Sequence, residues 1–178
     1  MDIGYIIGQI LGIIAIIIGF ITFQMKTKRQ ILFLQTTTAV LFCFHYFLIG
    51  APTGVAMNVV ATVRNIVYDY CGTKGYKTKL VPIAFVVIQA VMAILVWEAW
   101  YSVFVLLGIC INTYCMSLSN PQTVRSSILV SSPLVLVYNV FTVSIGGMIY
   151  ESVAVVSSAI GLVRYMKNKK EKKASKTL

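Results

Sequence analysis

A chain of 178 residues that is 58% hydrophobic and 11% charged, with a mean hydropathy of +0.87, lies outside the range of water-soluble domains and belongs in a bilayer. Its formal net charge of +10 does not point to nucleic acid, because Lys and Arg fall at the ends of apolar runs and not among stacking aromatics or on a recognition helix. Cys43, Cys71, Cys110 and Cys115 lie in apolar runs or beside a lysine loop with no metal-type pairing, and Cys110 and Cys115 are five apart with no histidine near them, so the four read as free buried thiols and no metal or cofactor is expected.

The first apolar run, Ile3 to Phe23, has no small-residue cleavage site behind it and reads as a helix that stays in the membrane, not as a signal peptide. It carries Gly8, Gly12 and Gly19, which suit close contact with another helix. The second run is Ile31 to Ile49, the third Gly54 to Tyr70 and the fourth Leu80 to Trp97. The fifth, Trp100 to Leu118, follows so closely that Glu98 must sit in a tight turn, with Trp97 and Trp100 beside it as interfacial anchors. The sixth spans Ser126 to Thr142 and holds Pro133; the seventh spans Gly147 to Met166. Runs of this length make helices of roughly 25 to 32 Å, close to the hydrocarbon thickness of about 30 Å. The basic tail from Lys167 to Leu178 reads as a disordered segment that attracts anionic lipid.

Loop charges alternate along the chain. Lys26, Lys28 and Arg29 follow the first helix, Lys74, Lys77 and Lys79 the third, Arg125 the fifth, and Lys167 to Lys176 the seventh. The intervening loops, Gly50 to Thr53, the Glu98 turn and Val143 to Gly146, contain no Lys or Arg. The positive-inside rule then predicts an N-terminus outside and a C-terminus in the cytoplasm. The expected fold is an all-α membrane protein of seven transmembrane helices. A three-helix bundle over 1–70 and a second over 100–166 would run parallel, joined by one linker helix over 80–97 and followed by the basic tail over 167–178. Aligning Gly54 to Tyr70 with Gly147 to Val163, a shift of 93 residues, gives four identities: Gly54/Gly147, Val60/Val153, Ala61/Ala154 and Val63/Val156.

Polar residues at membrane depth mark the candidate site. Arg64 and Asn65 stand in a segment otherwise apolar enough for lipid, and Glu151 occupies the place in the seventh helix that Asn58 holds in the third. A charge at such depth costs about 2.5 to 3.5 kcal/mol on insertion scales and faces an interior by default. Arg64 either compensates Glu151 across a central cavity or snorkels to the headgroups, and Glu151 is otherwise an interfacial carboxylate. His45, the sole histidine, is a proton relay or a hydrogen-bonded packing residue. The candidate pathway comprises His45, Asn58, Arg64, Asn65, Asn139, Glu151 and Ser158, with Pro133 as a hinge because it frees the Leu129 carbonyl. No catalytic or metal-binding residue is assigned, since no nucleophile with a nearby base, histidine cluster or phosphate loop is present, and the chain is expected not to be an enzyme.

The segments Phe44 to Asn65 and Ser144 to Tyr165, with the short basic loop after the first helix, resemble the YgjV family of bacterial inner-membrane proteins. The HYFLIG run, the arginine of VRN, and the SIGG turn followed by Glu151 and Arg164 carry the resemblance, which covers nearly the whole chain. It implies a multi-pass protein of the inner membrane, distantly similar to PQ-loop and SWEET sugar transporters and to PnuC vitamin transporters, which are two three-helix bundles joined by a linker helix. The chain departs from the sugar carriers in having a lone Pro121-Gln122 dipeptide and no proline in its first helix. The function expected is a small-solute transporter or facilitator with a polar central site. The alternative is a non-transporting membrane protein with a structural, assembly or regulatory role. The partners expected are the lipid bilayer and an unknown small solute, with homo-oligomerisation left open and no nucleic acid.

Overall fold

The computed structural model describes residues 3–25, 27–76, 79–118 and 121–174, and these form seven α-helices with no strand among them. They are α1 (Ile3–Gln24), α2 (Lys28–Leu48), α3 (Pro52–Lys74), α4 (Leu80–Leu95), α5 (Ser102–Ser117), α6 (Pro121–Phe141) and α7 (Ile145–Ala174). By length and composition α1, α2, α6 and α7 can cross a membrane, while α4 and α5 are shorter apolar helices. Outward-facing side chains such as Ile10, Ile17, Phe33, Phe47 and Ile94 are exposed, as a lipid-facing surface requires. Lys26, Lys77 and Lys176 lie outside the described residues.

Helix ends differ from the hydropathy reading where capping decides them. α6 begins at Pro121, five residues before Ser126, because proline at the first helical position loses no hydrogen bond that the helix would otherwise make. α7 does not end at Met166 in a disordered tail but continues to Ala174, through a lysine-rich stretch that consists mostly of good helix formers.

α1 packs on α2 and α7, α2 on α3, α3 on α5, α5 on α6, and α6 on α7, so six helices close into a ring. α4 lies against α3 and α5, over one of the two seams where the first three helices meet the last three. At the other seam, α1 and α7 approach through glycines: a Cβ on Gly12 would lie 2.9 Å from Gly146 Cα. The apolar core divides by level. Phe42, Met57, Ala93 and Val105 pack towards the end of the ring that has no Lys or Arg, and Leu32, Tyr68, Phe85 and Met116 towards the basic end.

The repeat is clearest in backbone, at the two turns of the uncharged end. Ile49, Gly50 and Ala51 donate their N–H groups to the carbonyls of His45, Phe47 and Tyr46 at 3.1, 3.3 and 2.9 Å. Thr142, Val143 and Ser144 donate to Tyr138, Val140 and Asn139 at 3.0, 3.3 and 2.9 Å. Every donor and acceptor in the second set is the first set's residue shifted by 93, and both sets form the Schellman pattern that ends a helix. The left-handed residue that this pattern needs is Gly50 at φ 74° in one turn and Val143 at φ 51° in the other.

Candidate functional site

α2, α3, α5, α6 and α7 enclose a cavity of about 120 Å³ at the centre of the ring. α2 and α3 supply Gln35, Thr38, Asn58, Arg64 and Asn65 to its wall, and α5, α6 and α7 supply Asn112, Ser131, Ser132 and Glu151. α-Helical spacing turns Arg64 and Asn65 inward, while Val63 and Ile66, which flank the pair, are exposed.

Arg64 does not snorkel. Only 3% of it is exposed, and its guanidinium is held by neutral acceptors. Nε and Nη2 donate to Asn65 Oδ1 at 3.2 and 2.9 Å, and Nη1 donates to Thr113 Oγ1 at 2.6 Å. Thr113 passes its own proton to Gln89 Oε1 at 3.0 Å, so α3, α5 and α4 share one chain of hydrogen bonds. The charge is thus solvated by dipoles and not paired with Glu151. The ion pair found among the described residues joins Arg29 to Asp69 at 3.9 Å, near the basic end. Glu151 is half-buried and lines the same cavity beside the Ser132 hydroxyl, which removes the interfacial alternative.

Towards the uncharged end the cavity is sealed by side chains that reach between the first three helices and the last three. Phe42 stacks on Tyr46, with ring centroids 5.7 Å apart, and meets Tyr150 edge-on at 5.2 Å. Tyr46 donates its hydroxyl to Asn139 Oδ1 at 2.5 Å, a bond across the 93-residue offset itself. His45 is fully buried between Gly8 O, 2.7 Å from Nδ1, and Ser144 Oγ, 2.6 Å from Nε2. Its repeat counterpart Tyr138 accepts the Gly54 N–H at 2.8 Å and donates to Glu98 Oε1 at 3.2 Å. α2 and α6 therefore each send one side chain across the ring, His45 to Ser144 before α7 and Tyr138 to the start of α3.

The two helix starts at this end are satisfied by different groups. The Thr53 and Gly54 N–H groups of α3 go to Glu98 Oε1, at 2.6 Å, and to Tyr138 Oη. The corresponding N–H groups of α7, on Gly146 and Gly147, go to Gln9 Oε1 at 3.2 Å and Ser144 Oγ at 3.1 Å. Glu98 is thus a cap on α3 and not merely a turn residue, whereas Trp97 and Trp100 are exposed as anchors should be.

Of the residues singled out from the sequence, Asn58, Arg64, Asn65 and Glu151 line the cavity. His45 and Asn139 belong to the seal above it, with both nitrogens of the His45 ring in hydrogen-bond contact. Ser158, the counterpart of Asn65, is buried off the cavity wall. Pro133 sits on the exposed face of an uninterrupted α6. Tyr46, Tyr138, Gln35, Thr38 and Thr113 were not singled out from the sequence; the 93-residue shift that aligns His45 with Tyr138 also aligns Tyr46 with Asn139 and was the signal available for that pair. All four cysteines are free and half-buried.

A family model described as bacterial inner membrane protein, Imp-YgjV, matches residues 6–169. No curated protein and no solved structure matches the chain.

Proposed function

The chain belongs to the Imp-YgjV family of bacterial inner membrane proteins, and from that premise we propose that it carries a small solute across the membrane by alternating access between its two three-helix units. The observation behind this reading is a charged, hydrogen-bonding cavity between the units, closed at one end by side-chain bonds that join them. Side-chain bonds between rigid bundles can part and re-form, and ordered helices on either side can move as bodies. In this reading the basic end faces the cytoplasm, as the positive-inside rule asks, and the sealed end faces outward.

Cysteine accessibility tests it. Ser132→Cys in a background without other cysteines should react with an impermeant thiol reagent from the cytoplasmic face, and Tyr46→Phe should shift labelling towards the outer face. Failure of the Ser132→Cys protein to react from either face in any condition, with or without Tyr46→Phe, would remove the carrier reading. The second reading, a structural or assembly role, is favoured by one observation: the cavity is smaller than the roughly 300 to 1,000 Å³ typical of ligand sites.

A further inference from the structure

The central cavity holds two opposite charges on opposite units, and each meets only neutral groups. Three of the five N–H groups of Arg64 go to Asn65 and Thr113. One N–H on each terminal nitrogen is left without a partner among the described residues, and a carboxylate has two oxygens to accept them. Across the cavity, Glu151 has the Ser132 hydroxyl and the rings of Tyr150, Phe42 and Tyr46 around it, with no cation in ion-pair range among the described residues.

The separation is set by the helices. Pro52 and Ile145 are equivalent first residues, one shift of 93 apart, so α3 and α7 start at the same level. Arg64 lies twelve residues beyond the first and Glu151 six beyond the second, a difference of six residues or about 9 Å along the axes. That is the offset of their Cα levels, and the two side chains form no ion pair among the described residues. A small solute with an ammonium and a carboxylate can bridge the two groups where no direct pair forms. The cavity of about 120 Å³ has room for several waters, since one needs about 10 to 15 Å³ of such space, and so for a solute with few carbons.

We propose that the cavity seats a small zwitterion, its carboxylate on the two free N–H groups of Arg64 and its cationic nitrogen at Glu151. The proposal rests on reading the cavity as a solute site. A neutral sugar would leave both charges unmet, and a simple anion would leave Glu151 facing it. A zwitterion satisfies both walls at once and, being attached to both units, draws them together around itself.

Thermal stabilisation of the purified full-length chain tests this, because a ligand that binds the folded state raises its melting temperature. The probes are glycine and its trimethylated analogue, against acetate, methylammonium and glycerol at equal concentration and ionic strength. Either zwitterion should stabilise the protein where the three controls do not, and Glu151→Gln should weaken its binding by about tenfold or more, the loss of one charge-assisted contact. Arg64→Lys keeps the charge but not the fork, and should weaken binding similarly while leaving the fold intact. Stabilisation by acetate equal to that by glycine, unaltered in Glu151→Gln, would overturn the proposal in favour of a plain anion seat. So would no response to any zwitterion; if thiol labelling of the Ser132→Cys protein still moves from one face to the other, that result leaves the carrier reading standing without the zwitterion.

Discussion

The α2–α3 turn and the α6–α7 turn follow one backbone course, bond for bond, yet they hold it by different means. The first places glycine at its left-handed position and has no local cap: Ala51 offers no side-chain acceptor, so the α3 start depends on Glu98 from the α4–α5 connection and on Tyr138 from the other unit. The second places valine at that position, a β-branched residue in a region that disfavours it, and is capped from within by Ser144. Its strained Val143 carbonyl is tied down by Tyr5 Oη and Gln9 Nε2 of α1 at 3.1 and 3.0 Å. What repeats in this molecule is the demand for hydrogen bonds; what supplies them need not repeat. The non-identical supply is what locks the two units together at this end.

The largest effect should come from the acceptor with charge. Glu98→Ala strands the Thr53 N–H and one Tyr138 bond, and should lower stability by about 3 kcal/mol, the upper range for a hydrogen bond to a charged group near a helix start. Gln9→Ala, which removes the neutral acceptor from the corresponding Gly146 N–H, should cost about 1 kcal/mol. Equal losses in a thermal melt read by a thiol-reactive dye on the native cysteines would break the comparison at its centre.

Ser144→Ala comes next, at about 2 kcal/mol, since it removes both the Gly147 cap and the partner of His45 Nε2. The converse change sharpens the point. Ala51→Ser in the Glu98→Ala background should recover about 1 kcal/mol by giving α3 the local cap that α7 already has. No recovery would mean that the backbone match does not extend to the cap.

The smallest effect belongs to the left-handed positions. A Cβ at Gly50 meets nothing within 4 Å, so Gly50→Ala reports backbone strain alone and should cost about 1 kcal/mol. Val143→Gly should gain about 0.5 kcal/mol, because relief of strain is partly offset by the entropy of glycine in the unfolded chain. A loss on Val143→Gly would show that the valine side chain packs for more than its conformation costs.

The seven helices were legible because apolar length is a local property, and the polar cavity was legible at Asn58, Arg64, Asn65 and Glu151 because amides and charges stand out in apolar runs. The tyrosines were not. Tyr46 and Tyr138 look like residues that suit a membrane surface, and whether they face lipid or the ring depends on helix rotation, which the sequence of α2 leaves weakly marked by apolar residues on every side. The expected compensation of Arg64 by Glu151 failed for a related reason. Sequence spacing gives the level of a charge along its helix, but Thr113 and Asn65 reach the guanidinium through packing that only the assembled α3, α4 and α5 create.

The glycine contact between α1 and α7 has a consequence for how the protein is made. Gln9 finds its acceptor at Val143, 134 residues later in the chain. At synthesis rates of about 5 to 20 residues per second that interval is roughly 7 to 27 s. During it α1 waits in the bilayer with a bare glycine face and an unpaired amide, open to α7 of any neighbouring copy. Crowded expression should therefore favour exchange of α1 between nascent chains, and making fewer chains at once, rather than stabilising the finished ring, is the remedy.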